Sequence, residues 1–416
     1  MLSLERMMKD IHTLATYTSK TPGVTRLSYT NEERAAKAYL IKEARQYHLD
    51  VSEDAIGNLF MRYRSNNKDA KILLIGSHID SVKGGGKYDG TLGVVIGLEV
   101  LRHLSEINDT LPFHVDVVSF TDEEGARFKT GMIGSRALTG SFFEEELSYV
   151  DEASMSLNQA RKEATNQPLD LKNVQVDPSQ LVGYLEVHIE QGKVLEKRGL
   201  PVGLVNGIVG LNWYEVEIEG EAGHAGATPM DDRKDPVIAG SVFMLKLYNE
   251  VKDNTQAVVT FGQMHIEPGS INVIPSKTTF SIDLRDIEQA ELDRLDQHIH
   301  ELAKDIEVDF GVSLTITKLD EAKPVNMSEM MMSCMETAIK GKGYPVHILS
   351  SGAGHDAMHM ANITPTGLLF LRTPNGVSHR PDETVIPEDV LVAADILLDT
   401  VLALRDQQDG MMTRKK

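Results

Sequence analysis

Cysteine is almost missing from this 416-residue chain. Cys334 stands alone, so no internal disulfide can form and no thiolate-rich metal site can be built. The expected compartment is therefore a reducing one, the cytosol. Long apolar runs are missing too: no stretch approaches the ~18 consecutive apolar residues of a membrane-spanning helix. The first segment interleaves Glu5, Arg6, Lys9 and Asp10 with its apolar residues, which excludes the apolar core of a signal peptide. Leu4, Met8, Ile11 and Leu14 instead fall near one helical face. Basic charge is also scarce. Against 62 Asp and Glu stand 42 Lys and Arg, a formal net charge of −20, and only the short tail Arg414-Lys415-Lys416 is a basic cluster. Such a chain repels phosphate backbones, which argues against nucleic acid as a partner.

What is present reads as an ordinary globular composition, too long for one core and hence divided into two domains. Lys71 to Gly76 reads as a buried strand, Leu92 to Leu104 as a helix and His114 to Phe120 as a further strand. That alternation is the mark of an α/β sheet with largely parallel strands. Residues 141–182 read as a surface elaboration, and Gly183 to His188 returns to strand character. Between 211 and 329 the order becomes strand (213–219), helix (235–250), strand (257–265), strand (277–284), helix (288–306), strand (313–318), the βαββαβ of a ferredoxin-like unit. A helix from Ser328 to Gly341, strands at Pro345–Leu349 and Thr366–Phe370, and a closing helix from Pro387 to Leu404 resume the first style. The expected organisation is a discontinuous domain of residues 1–210 and 330–416, with an inserted domain of residues 211–329.

Chemistry-bearing residues gather at the carboxyl ends of the first domain's strands, where open α/β sheets bind ligands. Gly76-Ser77-His78-Ile79-Asp80 follows one strand. His78 and Asp80 are either a structural pair or a metal ligand whose other ring nitrogen Asp80 holds. Asp89, in the glycine-rich turn 84–90, is either a helix-capping residue or a carboxylate delivered to a site. Asp122, Glu123 and Glu124 end the strand 115–120, and three adjacent carboxylates at a buried strand end repel one another unless cations neutralise them. His188 follows another strand, and His379 closes a loop before the last helix. Carboxylates mixed with imidazoles suit Zn²⁺, Mn²⁺ or Co²⁺ better than Ca²⁺.

These stretches resemble the M20 metallopeptidase-like amidohydrolases, in particular the hydantoinase/carbamoylase branch that holds N-carbamoyl-L-amino-acid hydrolases and allantoate amidohydrolases. The resemblance is carried by Gly76-Ser77-His78-Ile79-Asp80, Phe120 to Phe128, Gly131 to Arg136, His188-Ile189-Glu190-Gln191-Gly192, Gly223 to Met230, Ile271 to Pro275 and Ser351 to Ala357. It implies a zinc-exopeptidase-like catalytic domain, a mixed sheet flanked by helices, with an inserted α+β ferredoxin-like lid and dimerisation domain. It further implies two divalent ions per subunit bridged by Asp89, with His78 and His188 completing one site and Glu124 and His379 the other. Glu123 would be the general base and Asp80 the partner of His78. His188 stands where peptidase-type relatives place a carboxylate, which favours cleavage of a carbamoyl group. By the same resemblance His224 steadies the oxyanion, and Asn272 and Arg285 bind the substrate carboxylate, a task suited to the guanidinium fork. Gln191, Gly354 and His355 are either substrate contacts or plain loop polar groups. Arg380, beside His379, departs from the small polar residue common in relatives. The expected partner is a small anionic ureido compound, and the expected assembly a homodimer through the lid domain.

Overall fold

The computed structural model describes the backbone of residues 1–413 and the side chains of residues 1–407; Arg414-Lys415-Lys416 lies outside the described residues. Five strands open the fold: β1 (Asp50–Glu53), β2 (Leu59–Tyr63), β3 (Ile72–His78), β4 (His114–Phe120) and β5 (Leu181–Ile189). They join four later strands in a nine-stranded sheet of order β1, β2, β4, β3, β5, Thr366–Leu371, Val202–Ile208, Val325–Asn326, with Ile348–Ser351 also paired to Val202–Ile208. The four central strands run parallel, and antiparallel strands lie on either side. β4 and β5 are buried at every position and β3 at all but its first, because helices cover both faces of a parallel sheet; hence their near-continuous apolar runs. The register sets His78 beside Phe120 and His188 beside Phe370. The carboxyl ends of the parallel strands therefore open on one side.

The first helix, Leu4–Leu14, buries Met7, Ile11 and Leu14, while Leu4 and Met8 pack at the margin of the core. Its buried Asp10 accepts a bond of 2.5 Å from Arg102, a guanidinium with no exposed surface on the helix Thr91–Ile107. A buried pair of this kind is costly to break from one side, since the remaining charge is stranded.

Residues 141–182, expected as a surface elaboration, are mostly exposed. The segment holds the helices Leu157–Thr165 and Leu171–Val174, and Leu157, Ala160 and Val174 bury against Tyr29, Ile56, Phe128 and Ile133. Its few apolar residues recur at helical spacing and complete a small core shared with those neighbouring segments. The strand expected at 257–265 is two shorter ones, Val258–Thr260 and Met264–Glu267, both paired with Lys277–Asp286. The strand expected from Pro345 begins only at Ile348; proline brings no N–H to a ladder.

Residues 1–206 with 327–416 form one compact unit and residues 207–326 another. The second unit has its own antiparallel sheet in the order Met264–Glu267, Lys277–Asp286, Gly210–Glu219, Ser313–Ala322. Gly210–Glu219 and Lys277–Asp286 bury every second residue, and this inner face packs on the helices Pro236–Asn254 and Gln289–Phe310. This is the βαββαβ order, each crossover leaving a gap that another strand fills. No helix among the described residues is long and apolar enough to cross a membrane.

Candidate metal centre

β3 delivers His78 at its last residue. The ring's Nδ1 lies 3.0 Å from the carbonyl oxygen of Asp80. His188, near the end of β5, sets its Nδ1 2.9 Å from the carbonyl of Ile189. A carbonyl can only accept, so both rings carry their proton on Nδ1 and turn an Nε2 lone pair inward, the tautomer a metal-binding histidine needs. Asp89 meets them from the turn before the helix Thr91–Ile107. Gly90 follows it with φ +60, and a Cβ there would lie 2.3 Å from the His78 ring, so only glycine lets the turn pass so close.

Two triads share Asp89: His78, Asp89 and His188 form one, and Asp89, Glu124 and His379 the other, the donor atoms of each lying within 4.8 Å of one another. Asp89 Oδ1 is 3.0 Å from His188 Nε2 and 3.7 Å from His78 Nε2. Its Oδ2 is 3.2 Å from His379 Nε2, which is 3.3 Å from Glu124 Oε2. Ligands about 2.0–2.2 Å from a tetrahedrally bound ion stand roughly 3.4 Å apart. The donor set fits two ions bridged by one carboxylate. Glu124 Oε1 is buried without a hydrogen-bond partner, an arrangement that is costly for a carboxylate unless a cation completes it.

The electrostatics point the same way. Burial and the charge of Asp89 push the Glu124 carboxyl up to about 7. Burial raises Glu123 well above the usual range, with Glu124, Asp356 and Asp80 adding to it and His78 opposing. The hydrogen bond to Asp89 lifts His379 to about 9. Burial would raise Asp89, yet the charge and hydrogen bond of His188, with bonds to His379 and His78, hold it well below the carboxylate range. Carboxylates and imidazoles here compete for positive charge, which divalent ions supply at neutral pH.

The other expected residues take the following places around the triads. The imidazole partner of His78 is the Asp80 carbonyl, while the Asp80 carboxylate, 3.6 Å from the ring, accepts from the amides of Glu123 and Glu124, both at 3.2 Å. It thus holds the turn that carries both glutamates. Gln191, expected at a substrate pocket or as a plain loop group, donates to Asp89 Oδ2 at 2.9 Å, joined by the Ser378 hydroxyl at 2.7 Å. Gly354 is exposed, but His355 is buried. The His355 ring centre is 4.4 Å from that of His188, and its Nε2 is 2.9 Å from Ser351 Oγ, so it backs the His188 ring. Arg380 reaches outward to Asp382.

In the second unit His224 is exposed, pairs in register with Val273, and accepts on Nδ1 from the Gly226 amide at 3.1 Å. The carbonyl of exposed Asn272 accepts from Ala225, which braces the same loop. Arg285 lies along the carboxylate of Asp283, both bonds 2.9 Å.

Sequence reasoning passed over Glu186 and Glu383. Glu186 lies fully buried on β5, where its carboxylate accepts from Ser77 Oγ (3.1 Å), Tyr184 OH (3.0 Å) and the Ala357 amide (3.0 Å). It ties β3, β5 and the helix Asp356–Met360 together beneath the histidines. A glutamate inside an otherwise apolar buried strand was the available signal, since a buried carboxylate needs donors from several elements.

Comparison with known proteins places these residues in context. The model of Peptidase family M20/M25/M40 matches residues 74–403. An N-carbamoyl-L-amino acid amidohydrolase of Geobacillus stearothermophilus is 45% identical over 382 residues, covering 92% of this chain and 93% of the relative. An allantoate amidohydrolase of Bacillus subtilis is 34% identical, covering 97% and 98%. A crystal structure of an amidase of the hydantoinase/carbamoylase family from Burkholderia multivorans superposes with a TM-score of 0.91 at 30% identity, covering 97% and 98%.

Proposed function

From the premise that the chain belongs to peptidase family M20/M25/M40 and to its hydantoinase/carbamoylase branch, we propose that it is a two-metal amidohydrolase. It cleaves the carbamoyl C–N bond of N-carbamoyl-L-amino acids, releasing the amino acid, ammonia and carbon dioxide. The observation that carries this reading is the division of Asp89 between two triads, one oxygen toward His78 and His188, the other toward Glu124 and His379.

Those residues would hold two divalent ions, which when bound would supply Lewis acidity toward a ureido carbonyl and an attacking water. Glu123, with its carboxylate 3.6 Å from His78 Nε2, takes the proton of that water and hands it to the departing nitrogen. Asp80 keeps Glu123 aimed by holding its backbone amide. His224 is the proposed oxyanion donor, and Asn272 and Arg285 the proposed binders of the substrate carboxylate. A homodimer through the inserted unit draws support from an exposed apolar row: Ile238, Leu245 and Tyr248 follow one face of the helix Pro236–Asn254, with Val258 on the next strand. The solitary, buried Cys334 fits a reducing cytosol.

Allantoate is the alternative substrate, since it offers the same ureido bond and a relative 34% identical over nearly the full chain carries that activity's name. The test is ammonia release by Mn²⁺-, Zn²⁺- and Co²⁺-loaded protein from N-carbamoyl-L-amino acids, their D forms and allantoate, with chelator-treated controls. Metal-dependent release is expected, greatest from an N-carbamoyl-L-amino acid, and Glu123→Gln should lower kcat by about 10²–10⁴-fold. Cleavage of dipeptides or acyl amino acids with no ammonia from any ureido compound would overturn the proposal.

A further inference from the structure

Glu383 is a buried carboxylate, 3% exposed, four residues beyond His379 and outside both triads. One of its oxygens accepts from the backbone amides of Tyr88 at 2.8 Å and Asp89 at 3.1 Å. Two successive N–H groups converging on one anion form a small anion-binding nest in the turn that carries Asp89. The other oxygen lies 3.3 Å from Ser378 Oγ. That hydroxyl has one proton and gives it to Asp89 Oδ2, the shorter contact at 2.7 Å. Glu383 thus grips the main chain of Asp89 while its neighbour Ser378 grips the side chain.

Gly86 shows how closely the carboxylate is fitted. A Cβ on residue 86 would lie 2.1 Å from Glu383 Oε1 and Cδ, and Gly86 does not have the positive φ of Gly84 or Gly90. No positive φ calls for glycine at residue 86; the Glu383 carboxylate instead fills the place a Cβ would take. One carboxylate therefore pins two loops together: the loop 84–90, which delivers Asp89, and the loop 377–383, which delivers His379. Placing a negative group beside Asp89 is unfavourable by itself. Two bound divalent ions reverse that balance, because the ligand carboxylates leave the pair of ions with excess positive charge, which a nearby anion offsets.

We propose that Glu383 is a positioning residue that fixes the peptide of Asp89, so that its two oxygens face different triads, and that it thereby sets how tightly the ions are held. The proposal rests on the two-ion reading above. It does not make Glu383 a ligand or a catalytic residue.

The test is titration of the metal-stripped full chain with Co²⁺, followed by calorimetry and by visible d–d absorbance, for wild type, Glu383→Gln, Glu383→Ala, Gly86→Ala and the double variant Gly86→Ala/Glu383→Ala. Loss of a hydrogen-bonding partner behind a metal ligand weakens binding by about 10–100-fold. Glu383→Ala should fall in that range with an altered Co²⁺ spectrum, and Glu383→Gln, which keeps its acceptor but loses its charge, should fall between it and wild type. Gly86→Ala should weaken binding although Glu383 is still present, and should add little once Glu383 is alanine, because the space is then free. At saturating Co²⁺, the loss of ammonia release should fall on kcat and leave KM nearly unchanged. Should Glu383→Ala fail to fold, Glu383→Gln and Gly86→Ala decide the matter. Co²⁺ affinity within twofold of wild type in the folded variants overturns the proposal, whereas a wild type that binds fewer than two Co²⁺ overturns the two-ion reading instead.

Discussion

The two triads around Asp89 have similar donors and different settings. In the first, His78 and His188 are 1% and 2% exposed at the side chain, stand on adjacent parallel strands and have each Nδ1 held by a carbonyl. In the second, the His379 side chain is 49% exposed, on a loop, with φ +57. The first is organised by the sheet and would keep its shape through the cost of unfolding β3 and β5. The second is organised by loops, and loops open at lower free energy than core strands. Similar ligand chemistry on unequal scaffolds implies one tightly preorganised ion position and one adjustable position.

The largest expected effect erases the comparison. Asp89→Ala removes the oxygen each triad depends on, so metal analysis should find both ions lost and ammonia release reduced by about 10⁴-fold or more. Retention of a full ion at either position would show that the triads are independent. The next pair of variants sharpens the contrast. His188→Ala should lose one ion and also lower the stability of the metal-free protein by about 1–3 kcal/mol, because it vacates a packed position against His78 and His355. His379→Ala should lose one ion and leave the metal-free melting midpoint near that of wild type, since a half-exposed loop side chain contributes little packing. Equal destabilisation by the two variants would refute the difference in scaffold.

Much of the first triad was legible in the sequence and less of what holds the second. Strands buried on both faces write near-continuous apolar runs, so β3, β4 and β5 announce themselves, and His78, Glu123, Glu124 and His188 follow from lying at their carboxyl ends. Parallel order brings those ends to one side without further information. By contrast, Glu383 acts on main-chain amides 294 and 295 residues away, and Gln191 meets Asp89 across 102 residues. A carboxylate that satisfies another loop's backbone has no local pattern, because any exposed glutamate looks the same. The burial of His355, a residue read either as a substrate contact or as a plain loop polar group, has no local pattern either: the extended backbone at His355 (φ −148, ψ 159) precedes the helix Asp356–Met360, and the ring packs against His188.

That short helix allows the mildest probe of the contrast, because it backs only the buried triad. On it lies His359, whose imidazole is pushed down to about 4 by burial, with the positive charge of Arg136 adding to the effect. The folded chain therefore keeps His359 neutral where the unfolded chain, with a value near ~6.5, already takes up a proton. Stability is fully present above about 6.5 and is lost as the pH falls from there toward about 4. Melts of the metal-free protein at pH 7 and pH 5 should show a decline, and His359→Gln, which cannot be protonated, should remove about 1–2 kcal/mol of it. Carboxylates elsewhere titrate in both proteins and cancel in the difference, so matching declines in wild type and variant would mean that His359 is not held neutral.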